Sequence, residues 1–170
     1  IKNSQLVFSE QKKFKEEITG DIKKKITKSI INDKWLQKNL TPENYVPHLE
    51  YENKKQLVYK SKKIGKNKFD SKNFSFEPLI LGDNIFFSDL SGNIFNFSID
   101  EKRLIWRFNF YKKRYKEIPI DIKLKISNNS LIVSDNLGYL YSLKTEIGKL
   151  NWAKNYGIPF RSNIKIDDSN

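Results

Sequence analysis

One pattern is written twice in this chain, at a fixed offset of 46 residues and without a gap. Gly82-Asp-Asn-Ile-Phe-Phe-Ser-Asp-Leu-Ser-Gly-Asn-Ile-Phe-Asn-Phe runs on to Leu104-Ile105-Trp106. Asn128-Asn-Ser-Leu-Ile-Val-Ser-Asp-Asn-Leu-Gly-Tyr-Leu-Tyr-Ser-Leu runs on to Leu150-Asn151-Trp152. In that register Ser88 meets Ser134, Asp89 meets Asp135, Gly92 meets Gly138, Leu104 meets Leu150 and Trp106 meets Trp152. Two of only three tryptophans fall on it, which marks an internal repeat. A period of about 40–50 residues made of short strands belongs to propellers and related arrays, in which one unit cannot bury its apolar surface without a neighbour.

The physics of one unit follows from its residues. Ile85-Phe86-Phe87 and Leu131-Ile132-Val133 are short β-branched and aromatic runs bounded by Gly, Asn, Asp and Ser, the composition of a strand between turns. After each Ser-Asp come two connecting residues and then Gly92 or Gly138, placed where a hairpin reversal requires positive φ. A second strand resumes through Ile94, Phe95 and Phe97, or Leu140, Tyr141 and Leu143. The last strand carries Leu104 with Trp106, or Leu150 with Trp152; strict alternation puts leucine and tryptophan on one face. A sheet of this kind has two apolar faces, and radial stacking of four-stranded blades buries both.

The order strand, Gly-x-(Ile/Leu)-(Phe/Tyr)-x-(Phe/Leu), then Thr-Glu-Ile-Gly-Lys-Leu-Asn-Trp at 145–152 resembles the repeat of quinoprotein-type (PQQ-like) β-propellers. In that family a blade reads roughly Asp-Gly-x-Leu-Tyr-Ala-Leu-Asp-x-x-Thr-Gly-Lys-x-x-Trp. The second unit fits well. The first carries Asp100-Glu101-Lys102-Arg103 in place of the Thr-Gly-Lys turn, so a differently built turn is expected there. The resemblance implies that Trp106 and Trp152 dock each blade against the next, with Gly92 and Gly138 as structural partners, and that both tryptophans are buried. Further upstream, Lys34-Trp35-Leu36-Gln37, Pro47-His48-Leu49, Leu57-Val58-Tyr59 and Ile64-Gly65 are similar to the opening of the BamB-type lipoproteins of the outer-membrane barrel-assembly machinery. There, Gly-Gly-Asn usually follows Trp-x-Gln; here the residues are Lys38-Asn39-Leu40.

The expected fold is therefore all-β, a partial β-propeller. It amounts to about two to three four-stranded blades of a larger seven- or eight-bladed array. A degenerate blade is expected over 34–77, clear blades over 78–117 and 118–157, and the start of another over 158–170, where Ile164-Lys-Ile-Asp-Asp-Ser repeats Leu124-Lys-Ile-Ser-Asn-Asn. At 170 residues, beginning with Ile, the sequence reads as a fragment of a longer protein. Residues 1–33 form a lead of irregular or partly helical structure: Ile18, Ile22, Ile26, Ile30 and Ile31 fall at the spacing of an amphipathic helix, while Gly20 and the threonines oppose one.

The net charge of +12 raises nucleic acid or an anionic membrane as partners, but the lysines are dispersed and blunt exposed sheet edges. The absence of cysteine excludes disulfides, thiolate metal sites and a cysteine nucleophile. His48 is the only histidine, which suits packing or a hydrogen bond better than a metal site. No Walker loop, Gly-x-Ser-x-Gly or His-Glu-x-x-His is present. Asp89 and Asp135 recur at equivalent turns, where an aspartate bonds its own backbone.

The most partner-like stretch is Phe108-Asn-Phe-Tyr-Lys-Lys-Arg-Tyr-Lys, a junction six residues longer than the one after the second unit. A longer connection on a repeat scaffold projects from one rim, where partners bind. Tyr111, Lys112, Lys113, Arg114 and Tyr115 are therefore the candidate partner residues, joined by Phe160 and Arg161 from the equivalent connection. The expected function is a non-enzymatic scaffold for protein–protein interaction. By resemblance it serves outer-membrane barrel assembly in the periplasm, attached to the membrane only through a lipid anchor upstream. No cofactor and no nucleic acid are expected. The rival from another class is a quinoprotein dehydrogenase, which would hold a quinone and calcium.

Overall fold

The computed structural model describes residues 26–52, 57, 59–65, 69, 74, 76–111 and 115–166. Among them the structure is all β, with no helix. β1 (Lys34–Trp35), β2 (Leu79–Leu81), β3 (Asn84–Ser88), β4 (Asn93–Ser98) and β5 (Arg103–Asn109) form one sheet, hydrogen-bonded in that order. β6 (Ile122–Ser127), β7 (Ser130–Asp135), β8 (Tyr139–Lys144) and β9 (Leu150–Asn155) form the second. Every neighbouring pair is antiparallel. These are two successive blades of a partial β-propeller. Each repeat unit supplies one four-stranded meander.

Cross-strand pairing shows which residues share a face. Leu79 pairs with Phe86, Phe86 with Asn96 and Asn96 with Trp106, so these side chains lie together. That face packs on the second sheet: Trp106 donates from Nε1 to the Thr145 carbonyl at 2.8 Å, and Phe108 meets Tyr141 with ring centroids 6.1 Å apart. One apolar cluster spans both sheets, from Leu79, Phe86, Ile94 and Trp106 to Ile122, Leu131, Val133, Tyr141 and Leu143. Ile85, Phe87, Phe95 and Phe97 occupy the first sheet's other face. There Tyr59 stacks on Phe97 at 5.8 Å, and Gly65 lies against Phe95 and Asp89.

The repeat is deeper in the backbone than in the letters. Positive φ falls at Gly82 and Asn128, at Gly92 and Gly138, and at Lys102 and Gly148, each pair 46 residues apart. The turn at Lys102 is thus not built differently. Lysine takes the left-handed conformation that glycine takes in the second unit (φ 53° and 65°), at a steric cost of about 1–2 kcal/mol. The same holds after Trp35-Leu36-Gln37, where Asn39 and Leu40 both adopt positive φ without glycine.

A register shift also recurs. It lies between Asn96 and Phe97 in the first sheet and between Ser142 and Leu143 in the second, leaving Ile105 and Asn151 as the extra residues of two bulges. A bulge interrupts period-two alternation. Leu104 and Trp106 consequently do not share an environment: Leu104 is exposed and Trp106 buried.

The two sheets converge at β2 and β6, and one segment covers both of these edges. β1 pairs with β2, Ile126 donates its N–H to the Leu36 carbonyl at 2.8 Å, and Gln37 bridges to Lys125. Both side chains of that bridge are buried, and Lys125 Nζ donates to Gln37 Oε1 at 2.6 Å. Lys165 reaches the next turn of this segment, donating to the Pro42 carbonyl and to Asn44 Oδ1. No separate sheet forms among the described residues of 34–77, and residues 163–166 form no strand.

Of the residues expected to be helical, Ile18 and Ile22 lie outside the described residues. Ile26, Ile30 and Ile31 are not helical: Ile30 makes a parallel bridge with Leu49, closed by bonds of 2.9 Å to the His48 carbonyl and from the Glu50 N–H. Backbone pairing with a distant segment displaces the local helical pattern. His48 donates from Nδ1 to the Thr27 carbonyl at 2.8 Å, a hydrogen-bonding role.

Candidate partner-binding site

Each hairpin end is organised by its aspartate. Asp89 Oδ1 accepts the backbone N–H groups of Ser91 and Asn93 at 2.9 and 3.0 Å. Asp135 Oδ1 accepts those of Leu137 and Tyr139 at 2.8 and 2.9 Å. The donors are again 46 residues apart. These carboxylates hold turns, as a local side chain-to-backbone bond does. A second recurrent cap, Asn109 and Asn155, was legible in the same register. Each accepts, at 2.7 Å, the N–H two residues on, from Tyr111 and Gly157, and so ends the outer strand.

The chain leaving each outer strand folds back over the hairpin glycine. At Gly138 a Cβ would lie 2.9 Å from the Ile158 nitrogen. At Gly92 it would overlap the ring of Tyr111. Tyr111 is therefore buried, not presented to a partner. Its hydroxyl donates to Asp135 Oδ2, so one side chain ties the hairpin of the first sheet to that of the second. Burial pushes the Tyr111 phenol far above its usual 10.0, and the neighbouring Tyr141 and Asp135 act in the same direction. Burial likewise pushes up Tyr141. Both remain neutral at physiological pH.

The other candidates separate. Lys112, Lys113 and Arg114 lie outside the described residues. Tyr115 is half-buried, edge-on to Tyr111 at 6.2 Å. Phe160 is half-buried, its N–H bonded to the Asp135 carbonyl at 3.0 Å and its ring T-shaped to Tyr156 at 5.8 Å; Arg161 is exposed. The structure thus brings Tyr111 and Phe160 to the same aspartate, one from each connection.

Trp106 and Trp152 occupy the same place in successive units and meet opposite fates. Trp106 is 9% exposed, with its ring on Gly148, where a Cβ would come within 2.5 Å. Trp152 is 46% exposed, and no sheet lies on it among the described residues. Along β9 and the turns at its ends, Ile147, Leu150, Trp152, Tyr156 and Ile158 are all exposed, with Lys154 Nζ over the Tyr156 ring at 4.7 Å. Of these, Trp152 and the connection beginning at Tyr156 stand out in the sequence; Ile147 and Leu150 read as ordinary turn and strand residues. Among the described residues no group of three or more His, Cys, Asp or Glu side chains is placed to hold a metal ion, and no helix is long and apolar enough to cross a membrane.

No protein-family model matches the sequence, and no curated protein matches it. Solved structures similar to it include BamB from Moraxella catarrhalis, 18% identical over 46% of this chain and 24% of that one, with a TM-score of 0.38. A europium-containing methanol dehydrogenase is 14% identical over 74% of this chain and 23% of its own, with a TM-score of 0.47. Quinohemoprotein alcohol dehydrogenase from Comamonas testosteroni is 12% identical over 72% and 19%, with a TM-score of 0.49. The chain spans between 19% and 24% of the length of these structures. Its own four-strand meander, Ser-Asp-x-x-Gly hairpin and tryptophan seated on the next unit's Thr-x-x-Gly turn make it two successive β-propeller blades.

Proposed function

We propose that this chain is part of a non-enzymatic protein-binding scaffold that serves outer-membrane β-barrel assembly on the periplasmic side. The observation that carries the reading is the set of exposed large apolar residues on β9 and in the turns at its ends, Ile147, Leu150, Trp152, Tyr156 and Ile158, with Arg161 exposed in the connection that follows. Aromatic and arginine side chains anchor protein interfaces. The recurrent aspartates are engaged in turns, and the converging blade edges, which face the axis of a radial array, are taken up by the 34–38 segment. The BamB-type residues around Trp35 support the choice of partner: the barrel-forming subunit of the assembly machinery.

Capture of that purified subunit by the intact protein tests the reading. Tyr156→Ala with Arg161→Glu should weaken capture about 30-fold, the equivalent of about 2 kcal/mol for a lost anchor. Capture that is absent, or unchanged in the variant, overturns it. Stoichiometric uptake of a quinone with calcium would install the dehydrogenase reading instead. Oligonucleotide binding that falls steeply with salt would install a nucleic-acid binder.

A further inference from the structure

Between the two sheets runs a crevice of about 290 Å³, with walls drawn from both. Phe86 and Asn96, both buried, form its floor, and the half-buried Leu81 and Ile105 flank it. Ile105 is the extra residue of the β5 bulge, and a bulge re-aims a side chain. Glu101 and Glu146, both exposed, stand at the mouth, one from each blade. Arg103 Nε donates to Glu101 at 2.6 Å, which fixes that carboxylate and offsets part of its charge. Among the described residues no lysine or arginine lines the crevice, in a chain of net charge +12.

The packing of the blades does not account for Asn96. It is 2% exposed, and its Nδ2 donates to the Thr145 carbonyl at 3.3 Å. That bond fixes the amide and leaves Oδ1 as the acceptor offered to the crevice, with no hydrogen-bond partner among the described residues. A buried acceptor without a donor is destabilising. Nor does the repeat require it. Ser142 holds the same position in the second sheet, 46 residues on, and its hydroxyl accepts from Asn151 Nδ2 at 3.2 Å. The crevice is also far larger than the roughly 30 Å³ share of a single water.

We propose that this crevice binds a primary ammonium on an aliphatic stem, the lysine side chain of a peptide or protein. The ammonium donates to Asn96 Oδ1, and the stem lies along Leu81, Phe86 and Ile105. Glu101 and Glu146 draw the cation in and offset its desolvation. A calcium ion takes six to eight oxygen ligands, which these apolar flanks do not supply. A planar guanidinium asks for paired acceptors, whereas a compact ammonium is satisfied by a single buried one. The site is independent of the exposed residues of β9 and of the partner proposed for them.

Nitrogen-15 NMR of the intact chain tests it, with Nα-acetyl-lysine methylamide as the probe. The Asn96 side-chain amide and the Glu146 backbone amide should shift saturably as it is added, and its Nε-acetylated analogue should leave both unmoved. Asn96→Leu should weaken binding at least about tenfold, as expected when a hydrogen bond to a charged group is lost. Glu101→Gln with Glu146→Gln, two exposed positions, should weaken it about fivefold at low salt. If Asn96→Leu does not fold, this surface pair decides on its own. No saturable shift, an equal response to the acetylated analogue, or unchanged affinity in the Gln pair overturns the proposal. Calcium chloride that saturates the same resonances at lower concentration than the amine also overturns it, in favour of a metal site.

Discussion

Replacing Trp106 and Trp152 in turn by alanine should produce unequal losses from equivalent positions of one repeat. A buried aromatic side chain removes about 150–250 Å² from water, and at about 25 cal/mol per Å² a tryptophan burying about 200 Å² is worth about 5 kcal/mol. Trp106, at 9% exposure, realises nearly all of this and adds a hydrogen bond to Thr145 with a net worth of about 1 kcal/mol. The Thr145 carbonyl keeps the Asn96 side-chain amide at 3.3 Å after the change, so no buried acceptor is orphaned. Trp106→Ala should therefore cost about 5 kcal/mol, at the top of the range for buried aromatics. Trp152, at 46% exposure, realises about half the area, and Trp152→Ala should cost about 2 kcal/mol. With a urea dependence of about 2 kcal/mol per M, the two unfolding midpoints should differ by about 1 M or more. Midpoints within about 0.2 M of each other would refute the reasoning, because Trp152 would then be as buried in solution as Trp106.

Gly148→Ala should cost well over the roughly 1–2 kcal/mol of a left-handed alanine, since its Cβ also meets the Trp106 ring at 2.5 Å; Gly82→Ala, with nothing within 4 Å, should show only the backbone cost in the same melts. Tyr111→Phe keeps the ring on Gly92 but removes the donor from buried Asp135, and should lose about 1–3 kcal/mol near neutral pH. Because burial raises the Tyr111 pKa above its unfolded value, its proton stabilises the folded state fully below pH 10 and progressively less above it. Parent stability should thus fall about 1.4 kcal/mol per pH unit faster than that of the phenylalanine variant above pH 10, and parallel curves in alkaline urea titrations would count against the buried phenol. Asp135→Ala should destabilise more than Asp89→Ala, because the fully buried Asp135 carries the inter-sheet Tyr111 bond as well as its turn.

The offset of 46 residues, the strand runs and the hairpin glycines determined the architecture by themselves. Each is a local rule: β-branched and aromatic residues favour pleated backbone, and glycine relieves positive φ. Asp89 and Asp135 were legible as turn residues for the same reason, since their bonds close within four residues. The repeat made Trp106 and Trp152 equivalent, and the tertiary structure decided what stands opposite each: Gly148 in one case and solvent in the other. Tyr111 was not legible, since composition placed it on a basic, partner-facing loop. Its position over Gly92 and its bond to Asp135 join residues 24 apart across two sheets. Lys102 shows the converse. Its sequence broke the motif, yet the antiparallel pairing on either side of the turn held the backbone in the glycine conformation, at a steric cost the local sequence would not have accepted alone.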